Sequence, residues 1–163
     1  MRTRSLAAAA LVGAGLTAAA VTAPVAQAAP PTLASTPISV YQIPAVGLQF
    51  SGLAVPMPLV SNVLARSGAR SGDVVFSAPA SPSTCSASGG GALVRVDFRN
   101  LATGRAGAAT VKPCPYFLDP APTAQQVHTG SGPVVITVRL VGSHPYPNAG
   151  QPSLPGVGTF TAR

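Results

Sequence analysis

Two segments of the chain carry an apolar residue at every second position, and this pattern constrains the fold more than any other feature. Residues 92–99 read A-L-V-R-V-D-F-R, and residues 134–141 read V-V-I-T-V-R-L-V. Successive side chains of a β-strand point to opposite faces, so each segment has one apolar face and one polar face. Strands of this kind are typical of antiparallel sheets that are buried on one side only. The residues predicted to point inward are Val94, Val96, Phe98, Val134, Ile136, Val138 and Leu140.

Shorter strand signals recur along the rest of the chain between glycines and prolines, of which there are 17 and 18. They cover residues 38–43, 46–50, 73–77, 108–112 and 158–162, and the turn residues at 100–107 indicate a hairpin. In residues 38–43, Ile38, Val40 and Gln42 alternate against Ser39, Tyr41 and Ile43. We therefore expect an all-β fold of about seven or eight short strands, packed as an antiparallel sandwich of two sheets. A small closed barrel is the alternative.

One segment has a spacing that is compatible with a helix. Leu59, Val60, Val63 and Leu64 would share one helical face, and prolines precede them. The sequence therefore indicates a short helix near residues 58–66, and nowhere else a sustained helical period.

The first 28 residues have the three parts of a secretory signal. Arg2 and Arg4 precede an Ala-rich apolar run at 6–23, and Ala26-Gln27-Ala28 forms an A-x-A cleavage site. Prolines follow at once, so an uncleaved anchor is the less favoured alternative and no transmembrane anchor is expected after cleavage. The sequence predicts a cleaved signal at 1–28, a loose arm at 29–37 and a single sandwich domain at 38–163, secreted or held in the cell envelope.

Cys85 and Cys114 are the only cysteines. An even count in an exported chain favours one disulfide, with two free thiols as the alternative. Both lie in sequences typical of loops, S-T-C-S and K-P-C-P, so the bridge is expected to fasten loops.

Three stretches of the second half carry a resemblance to a known group. They are A-L-V-R-V-D-F-R-N-L-A-T-G, T-G-S-G-P-V-V-I-T-V-R and P-G-V-G-T-F-T, within residues 92–163. In these stretches the chain resembles the small exported immunoglobulin-like β-sandwich proteins of high-GC Gram-positive bacteria, most of which have no assigned function. The resemblance implies a fold and a compartment. The absence of Trp departs from antibody-type domains, in which a Trp packs on the disulfide.

The supply of chemistry-bearing side chains argues against most enzyme classes. The chain has three acidic residues, all Asp, and two histidines. Glycoside hydrolysis normally needs two carboxyl groups, and a serine hydrolase of the α/β type needs a G-x-S-x-G elbow that is absent here. His128, His144 and Asp119 are the only set that could hold a metal, and their spacing matches no standard ligand pattern. We expect both histidines to be solvated surface groups.

The Gly-rich segment at 88–91 lacks the ending of a phosphate-binding loop. The sequence therefore predicts no enzyme and no catalytic, cofactor-binding or metal-binding residue.

The basic residues give the most coherent binding hypothesis. Ten Lys and Arg residues against three acids give a net charge of +7. Arg95 and Arg99 share the polar face of one strand with Asp97 between them, and Arg139 lies on the polar face of the other. Guanidinium groups bind phosphates and carboxylates in bidentate geometry, so an anionic envelope polymer, lipid or protein is the predicted partner. The alternative is a solvated face partly neutralised by Asp97.

Aromatic residues are scarce, so nucleic acid is not an expected partner. A second candidate surface is the apolar run at 53–60, which reads L-A-V-P-M-P-L-V and is expected to cover the core unless it is exposed. Tyr116, Phe117 and Tyr146 are expected to pack locally.

The sequence thus predicts a non-enzymatic exported protein that binds an acidic or apolar partner at the envelope or outside the cell. A structural or accessory envelope domain and a small secreted hydrolase that uses His128 with a nearby serine are the alternatives.

Overall fold

The computed structural model describes residues 35–50, 56–87 and 91–163. The predicted signal at 1–28 and most of the predicted arm lie outside these residues, and Pro37 already belongs to the first strand. The described residues form twelve strands and one short helix: β1 Pro37–Ile38, β2 Tyr41–Ile43, β3 Ala45–Phe50, β4 Pro56–Ser61, β5 Leu64–Ser67, β6 Asp73–Ser77, α1 Pro82–Ala87, β7 Leu93–Asn100, β8 Ala106–Val111, β9 Ala124–His128, β10 Gly132–Val141, β11 Ser153–Leu154 and β12 Gly156–Ala162.

The strands form three antiparallel sheets, and none of them closes on itself. Sheet A has the order β1-β5-β6-β9, sheet B has the order β2-β12-β10-β7-β8, and sheet C has the order β11-β3-β4. The predicted all-β sandwich is confirmed, but it has three sheets instead of two and twelve strands instead of seven or eight, and the closed alternative is wrong. Prolines account for part of the higher count, because Pro44 separates β2 from β3 and Pro155 separates β11 from β12.

The core joins sheets A and B, and Ala45 and Leu59 of sheet C also belong to it. In sheet B, β10 pairs with β7 so that Ile136 is opposite Phe98. Phe76 of sheet A packs against this layer, with its ring centroid 6.3 Å from that of Phe98 and 5.8 Å from that of Phe160. All seven residues predicted to point inward from the two long strands are buried. The alternation in the sequence therefore located both the strands and the core face.

The predicted helix at 58–66 is wrong. This segment forms β4 and β5, and its residues alternate between buried and exposed from Leu59 to Arg66. Leu59 and Val63 are buried, while Val60 and Leu64 are exposed. Residues four positions apart, such as Leu59 and Val63, share one face both in a helix and in a strand. The spacing alone therefore does not distinguish the two structures, and the pairing with other strands determines that this segment is a strand. The only helix among the described residues is α1, whose six residues include Cys85.

The predicted disulfide is confirmed. Cys85 in α1 is bonded to Cys114 in the segment after β8, with a Cα–Cα distance of 5.4 Å. Cys85 lies in a helix rather than in the expected loop, but the bridge does fasten two connecting segments at the edge of the sandwich. Within the described residues, no helix has the length and apolar character required to span a bilayer.

One end of the sandwich is organised around Asn100, which is fully buried at the end of β7. Its Nδ2 donates to the backbone carbonyls of Thr129, Gly130 and Ser131, at 2.9 to 3.1 Å. Its Oδ1 accepts hydrogen bonds from two amides of its own hairpin, those of residues 102 and 103. A single amide side chain thus joins the β7–β8 turn to the β9–β10 turn.

Candidate functional site

The three arginines singled out from the sequence lie on the outer face of sheet B. Arg95 of β7 is directly opposite Arg139 of β10, and Arg99 is opposite Val135. The inward positions of both strands face sheet A, so these side chains point away from the core, and all three arginines are exposed. The strand pairing therefore places three guanidinium groups along one surface.

Asp97 lies between Arg95 and Arg139 and contacts both of them. Arg95 Nε is 3.0 Å from Asp97 Oδ1, and Arg139 Nη2 is 2.5 Å from Asp97 Oδ2. Partial burial alone would raise the pKa of the Asp97 carboxyl, but hydrogen bonds from Arg139 and Arg95 outweigh it and hold this pKa below its usual value. Among the described residues, Arg99 forms no ion pair.

The other half of the same face is apolar. Thr159 of β12 is opposite Tyr41 of β2, and Val157 is opposite Ile43. Tyr41 is 80% exposed, and Ile43 and Val157 are also largely exposed. These residues line a shallow depression of about 610 Å³ together with Val135 and Thr137 of β10. Thr137 is paired with both Asp97 and Val157, so β10 joins the cationic half of the face to the apolar half.

The sequence did not identify this apolar half. Residues 38–43 carry apolar side chains on both faces, so the alternation there does not say which face is buried. The structure turns Gln42 inward, where its amide exchanges two hydrogen bonds with the backbone of Val63, at 2.8 and 2.9 Å. This polar anchor leaves Tyr41 and Ile43 on the outside.

A second polar cluster lies on sheet A and involves a histidine that was expected to be solvated. His128 of β9 is directly opposite Asp73 of β6. His128 Nδ1 is 2.7 Å from Asp73 Oδ1, and Gln126 Nε2 donates to Asp73 Oδ2 at 2.9 Å. Asp73 is buried, while the His128 ring is about half exposed. Both histidines are exposed, as expected for surface groups, but His128 is also held by a buried carboxylate, which the sequence did not predict.

The contacts of Asp73 stabilise its ionised form. The hydrogen bond with His128 is the main cause that lowers the pKa of the Asp73 carboxyl, burial opposes it, and Arg70 at 3.7 Å adds to it. A carboxylate that holds Nδ1 of a histidine in one orientation is also a feature of acyl-transfer sites. The hydroxyls of Ser71 and Ser131 lie 2.9 Å apart at the same end of the sandwich. Among the described hydrogen bonds, neither hydroxyl is bonded to His128.

The three residues weighed as a metal set do not come together. Asp119 is buried in the segment after β8, where its carboxylate accepts the backbone N–H of His144 at 2.9 Å. His128 contacts Asp73 instead. The described part of the chain contains no group of three or more His, Cys, Asp or Glu side chains that could hold a metal.

The other apolar candidates have mixed outcomes. Residues 51–55 lie outside the described residues, and in the remainder of the 53–60 segment Leu59 is buried and Val60 is exposed. Phe117 packs locally as expected. Tyr116 is 88% exposed, so the prediction that it packs locally is wrong. Tyr146 is 41% exposed, so it is covered in part.

Comparisons with protein-family models, with curated proteins and with solved structures give no match. The similarity to exported immunoglobulin-like proteins therefore stays a prediction.

Proposed function

We propose that this chain is an exported, non-enzymatic binding protein whose sheet B outer face binds an anionic partner that also carries apolar groups. The partner would be met at the cell envelope or outside the cell. The observation that supports this proposal is the pairing, on one sheet face, of an arginine half with an exposed aromatic and aliphatic half.

The charge distribution supports an anionic partner. The described residues hold eight Lys and Arg side chains and three Asp side chains. Two of these three carboxylates, those of Asp73 and Asp119, are buried. The surface field is therefore positive, and it attracts anions over a distance set by the ionic strength.

Asp97 limits the affinity of the arginine half for anions. Because it accepts hydrogen bonds from Arg95 and Arg139 at once, it already occupies the position that a ligand carboxylate or phosphate would take. A ligand has to share or displace these contacts, whereas Arg99 has no such competitor among the described residues. Affinity for a single anionic group is therefore modest, and a polymer with repeated anionic groups gains from contacting several arginines.

The apolar half supports a partner that is not purely ionic. Tyr41 presents a large ring with a polar tip, and such residues are enriched at binding surfaces. A ligand that lies across β7, β10, β12 and β2 would meet guanidinium groups first, then threonine and valine side chains, and then Tyr41 and Ile43. An anionic amphiphile or a polymer with alternating charged and apolar units fits this order.

The experiment that tests the arginine half is a binding titration with soluble polyphosphate at rising salt. Sodium chloride is raised from roughly 10 mM to 1 M, over which the Debye length falls from about 30 Å to about 3 Å. We expect binding by the mature protein that weakens steeply with salt and is lost in the Arg95→Ala/Arg99→Ala/Arg139→Ala variant.

The matched control removes three other exposed arginines, in the variant Arg66→Ala/Arg105→Ala/Arg163→Ala. Its net charge falls by the same amount, so it should keep most of the binding. Equal loss in both variants would mean that only net charge matters and would refute a site on sheet B.

The apolar half needs a separate probe, because polyphosphate carries no apolar groups. Dodecyl phosphate, used below its micelle concentration, should bind more weakly to a Tyr41→Ser/Ile43→Ser variant than to the wild type. Polyphosphate binding should be the same in the two proteins. If dodecyl phosphate binds both equally, the apolar half is not part of the site.

Export is tested on the secreted protein itself. Intact-mass measurement should find a chain that starts at Ala29 and is lighter by two hydrogens than the reduced chain. A product that retains residues 1–28 would contradict export through a cleaved signal.

A small hydrolase is the second candidate, and the observation that favours it is the hydrogen bond between Asp73 and His128. A fluorophosphonate probe that labels the native protein, but not the His128→Ala variant, would establish this candidate and overturn the non-enzymatic proposal. If neither protein is labelled and neither ligand binds, an accessory role in the envelope is favoured instead.

A further inference from the structure

Two loops leave sheet B at the same end. β8 ends at Val111, which is opposite Val94, and β10 ends at Val141, which is opposite the neighbouring Leu93. The segments that follow, residues 112–123 and 142–152, are joined by the hydrogen bond between the His144 amide and the Asp119 carboxylate. Together these two segments form what we call the loop tip.

The loop tip exposes large apolar side chains. In the first segment Phe117 is buried, while its neighbours Tyr116 and Leu118 are 88% and 86% exposed. Tyr146 is exposed in the second segment, in a turn closed by reciprocal backbone hydrogen bonds between Ser143 and Tyr146. Single exposed apolar residues need no explanation, but two of the most exposed large apolar residues, one on each side of a buried anchor, indicate a contact surface.

The loop tip is held in place before any partner binds. A Cβ on Gly91 would overlap the Phe117 ring, so this ring packs directly on the Gly91 backbone. Lys112 Nζ donates to the carbonyl oxygens of Phe117 and Asp119, at 3.2 Å each. The disulfide at Cys114 fixes the start of the segment. Tyr116 and Leu118 therefore lose little conformational freedom on binding.

The charges near the loop tip favour an anionic partner. Asp119 is buried and has two backbone N–H donors, those of Ala121 and His144. The described chain has only two other acids, and one of them, Asp73, lies at the opposite end of the sandwich. Arg95 is opposite Thr110, two residues before Lys112, and is itself paired with Arg139. The end of the sheet that carries the loop tip thus presents two arginines and one partly exposed carboxylate. The half-buried Lys112 ammonium, bonded to two carbonyls of the loop tip, adds one more positive charge.

We infer that the loop tip is a docking site for an anionic lipid surface, which Tyr116 and Leu118 enter to a shallow depth. Tyrosine prefers the boundary between headgroups and acyl chains, and leucine prefers the acyl side of it. Arg95 and Arg139 lie along the adjoining strands at the level of the headgroups, where each basic residue strengthens binding to anionic lipid. This site shares Arg95 and Arg139 with the arginine half of the sheet B face, but it does not include the depression beside Tyr41.

The chain has no Trp, so one introduced Trp reports alone. We would introduce this Trp at position 116, as Tyr116→Trp, and add vesicles of equimolar phosphatidylcholine and phosphatidylglycerol. We expect a blue-shifted emission that brominated acyl chains quench, and no such shift with phosphatidylcholine alone. In the Tyr116→Trp background, Leu118→Ser should weaken vesicle binding by about tenfold or more, since a leucine loses its apolar burial.

Two controls make the outcome decisive. Leu101→Ser in the same background removes an exposed leucine from the β7–β8 turn at the other end of the sandwich, and it should leave vesicle binding unchanged. Tyr41 lies at the level of Arg99, farther from the loop tip than Arg95. A bilayer that seats the loop tip therefore does not reach it as a dissolved dodecyl phosphate molecule does, so Tyr41→Trp should keep a solvent-like emission with vesicles. Far-UV circular dichroism verifies that each variant is folded.

Three results would overturn the inference. They are an unshifted Tyr116→Trp emission with anionic vesicles, equal binding to vesicles of neutral lipid, and a shift of the Tyr41→Trp emission in place of the Tyr116→Trp emission. The polyphosphate titration uses no lipid, so a failure there and a failure here are distinguishable.

Discussion

Removal of the disulfide should cost a large part of the stability of this domain. The change is Cys85→Ala/Cys114→Ala, which opens a covalent loop that spans 29 residues. In the chain-entropy relation, the closure of a loop of this length lowers the entropy of the unfolded chain by an amount worth about 3.6 kcal/mol at 25 °C. Small domains are stable by about 5–15 kcal/mol, so the loss is a substantial fraction of the total.

The structure indicates why other contacts will not compensate for this loss. Helix α1 has six residues, which is too short to persist on its own. Besides the bridge, a described backbone hydrogen bond from the Ala80 amide to the carbonyl of Pro113 joins the two segments. Cys114 is fully buried, so its truncation also leaves a small cavity that adds to the loss.

Urea unfolding followed by far-UV circular dichroism measures the effect. We expect a lower midpoint for the double variant, with a free energy of unfolding about 3–4 kcal/mol below that of the oxidised wild type. The wild type unfolded under reducing conditions should fall close to the variant. A loss below about 1 kcal/mol would refute the reasoning, because it would mean that the unfolded chain does not gain the predicted freedom.

Four further changes test individual contacts. Asp97→Asn frees two arginines from their shared carboxylate, so polyphosphate should bind about fivefold more tightly in the salt titration, equivalent to about 1 kcal/mol. Asn100→Ala leaves buried backbone groups without partners and should lower the free energy of unfolding by about 3 kcal/mol in urea. Asp73 has a lowered pKa in the folded state, so its contribution to the free energy of unfolding is present above its usual pKa near 3.8 and is lost as the pH falls through the pKa of the folded state. Urea midpoints measured from roughly pH 2 to 6 should therefore fall as the pH is lowered. His128→Ala should make this dependence on pH weaker. Gln49→Met removes a fully buried amide whose two polar atoms have no hydrogen-bond partner among the described residues, so it should raise the urea midpoint by an amount worth about 1–3 kcal/mol.

The centre of the fold was predictable because its pattern is unambiguous. Residues 92–99 and 134–141 each carry an apolar residue at every second position, and they form the paired strands β7 and β10 with the predicted faces inward. Residues 73–77 were predicted as a strand and form β6 with the same bounds. The shared surface of Arg95 and Arg139 followed from the assumption that the two long strands lie in one sheet.

The features that sequence reasoning missed depend on which strands become neighbours. Asp73 and His128 are 55 residues apart, and only the pairing of β6 with β9 makes them partners. The apolar half of the sheet B face required β2 to pair with β12. In the 58–66 segment the local pattern suited both a helix and a strand, and long-range pairing decided the outcome.

The position of β12 has a consequence for the timing of folding. This strand, Gly156–Ala162, is the last of the described strands, yet it lies inside sheet B between β2 and β10. Until it emerges from the ribosome, the early strand β2 has no partner in that sheet, and the outer edge of β10 is uncovered. The nascent chain therefore cannot complete sheet B until residues 156–162 have been synthesised and can pair with β2 and β10.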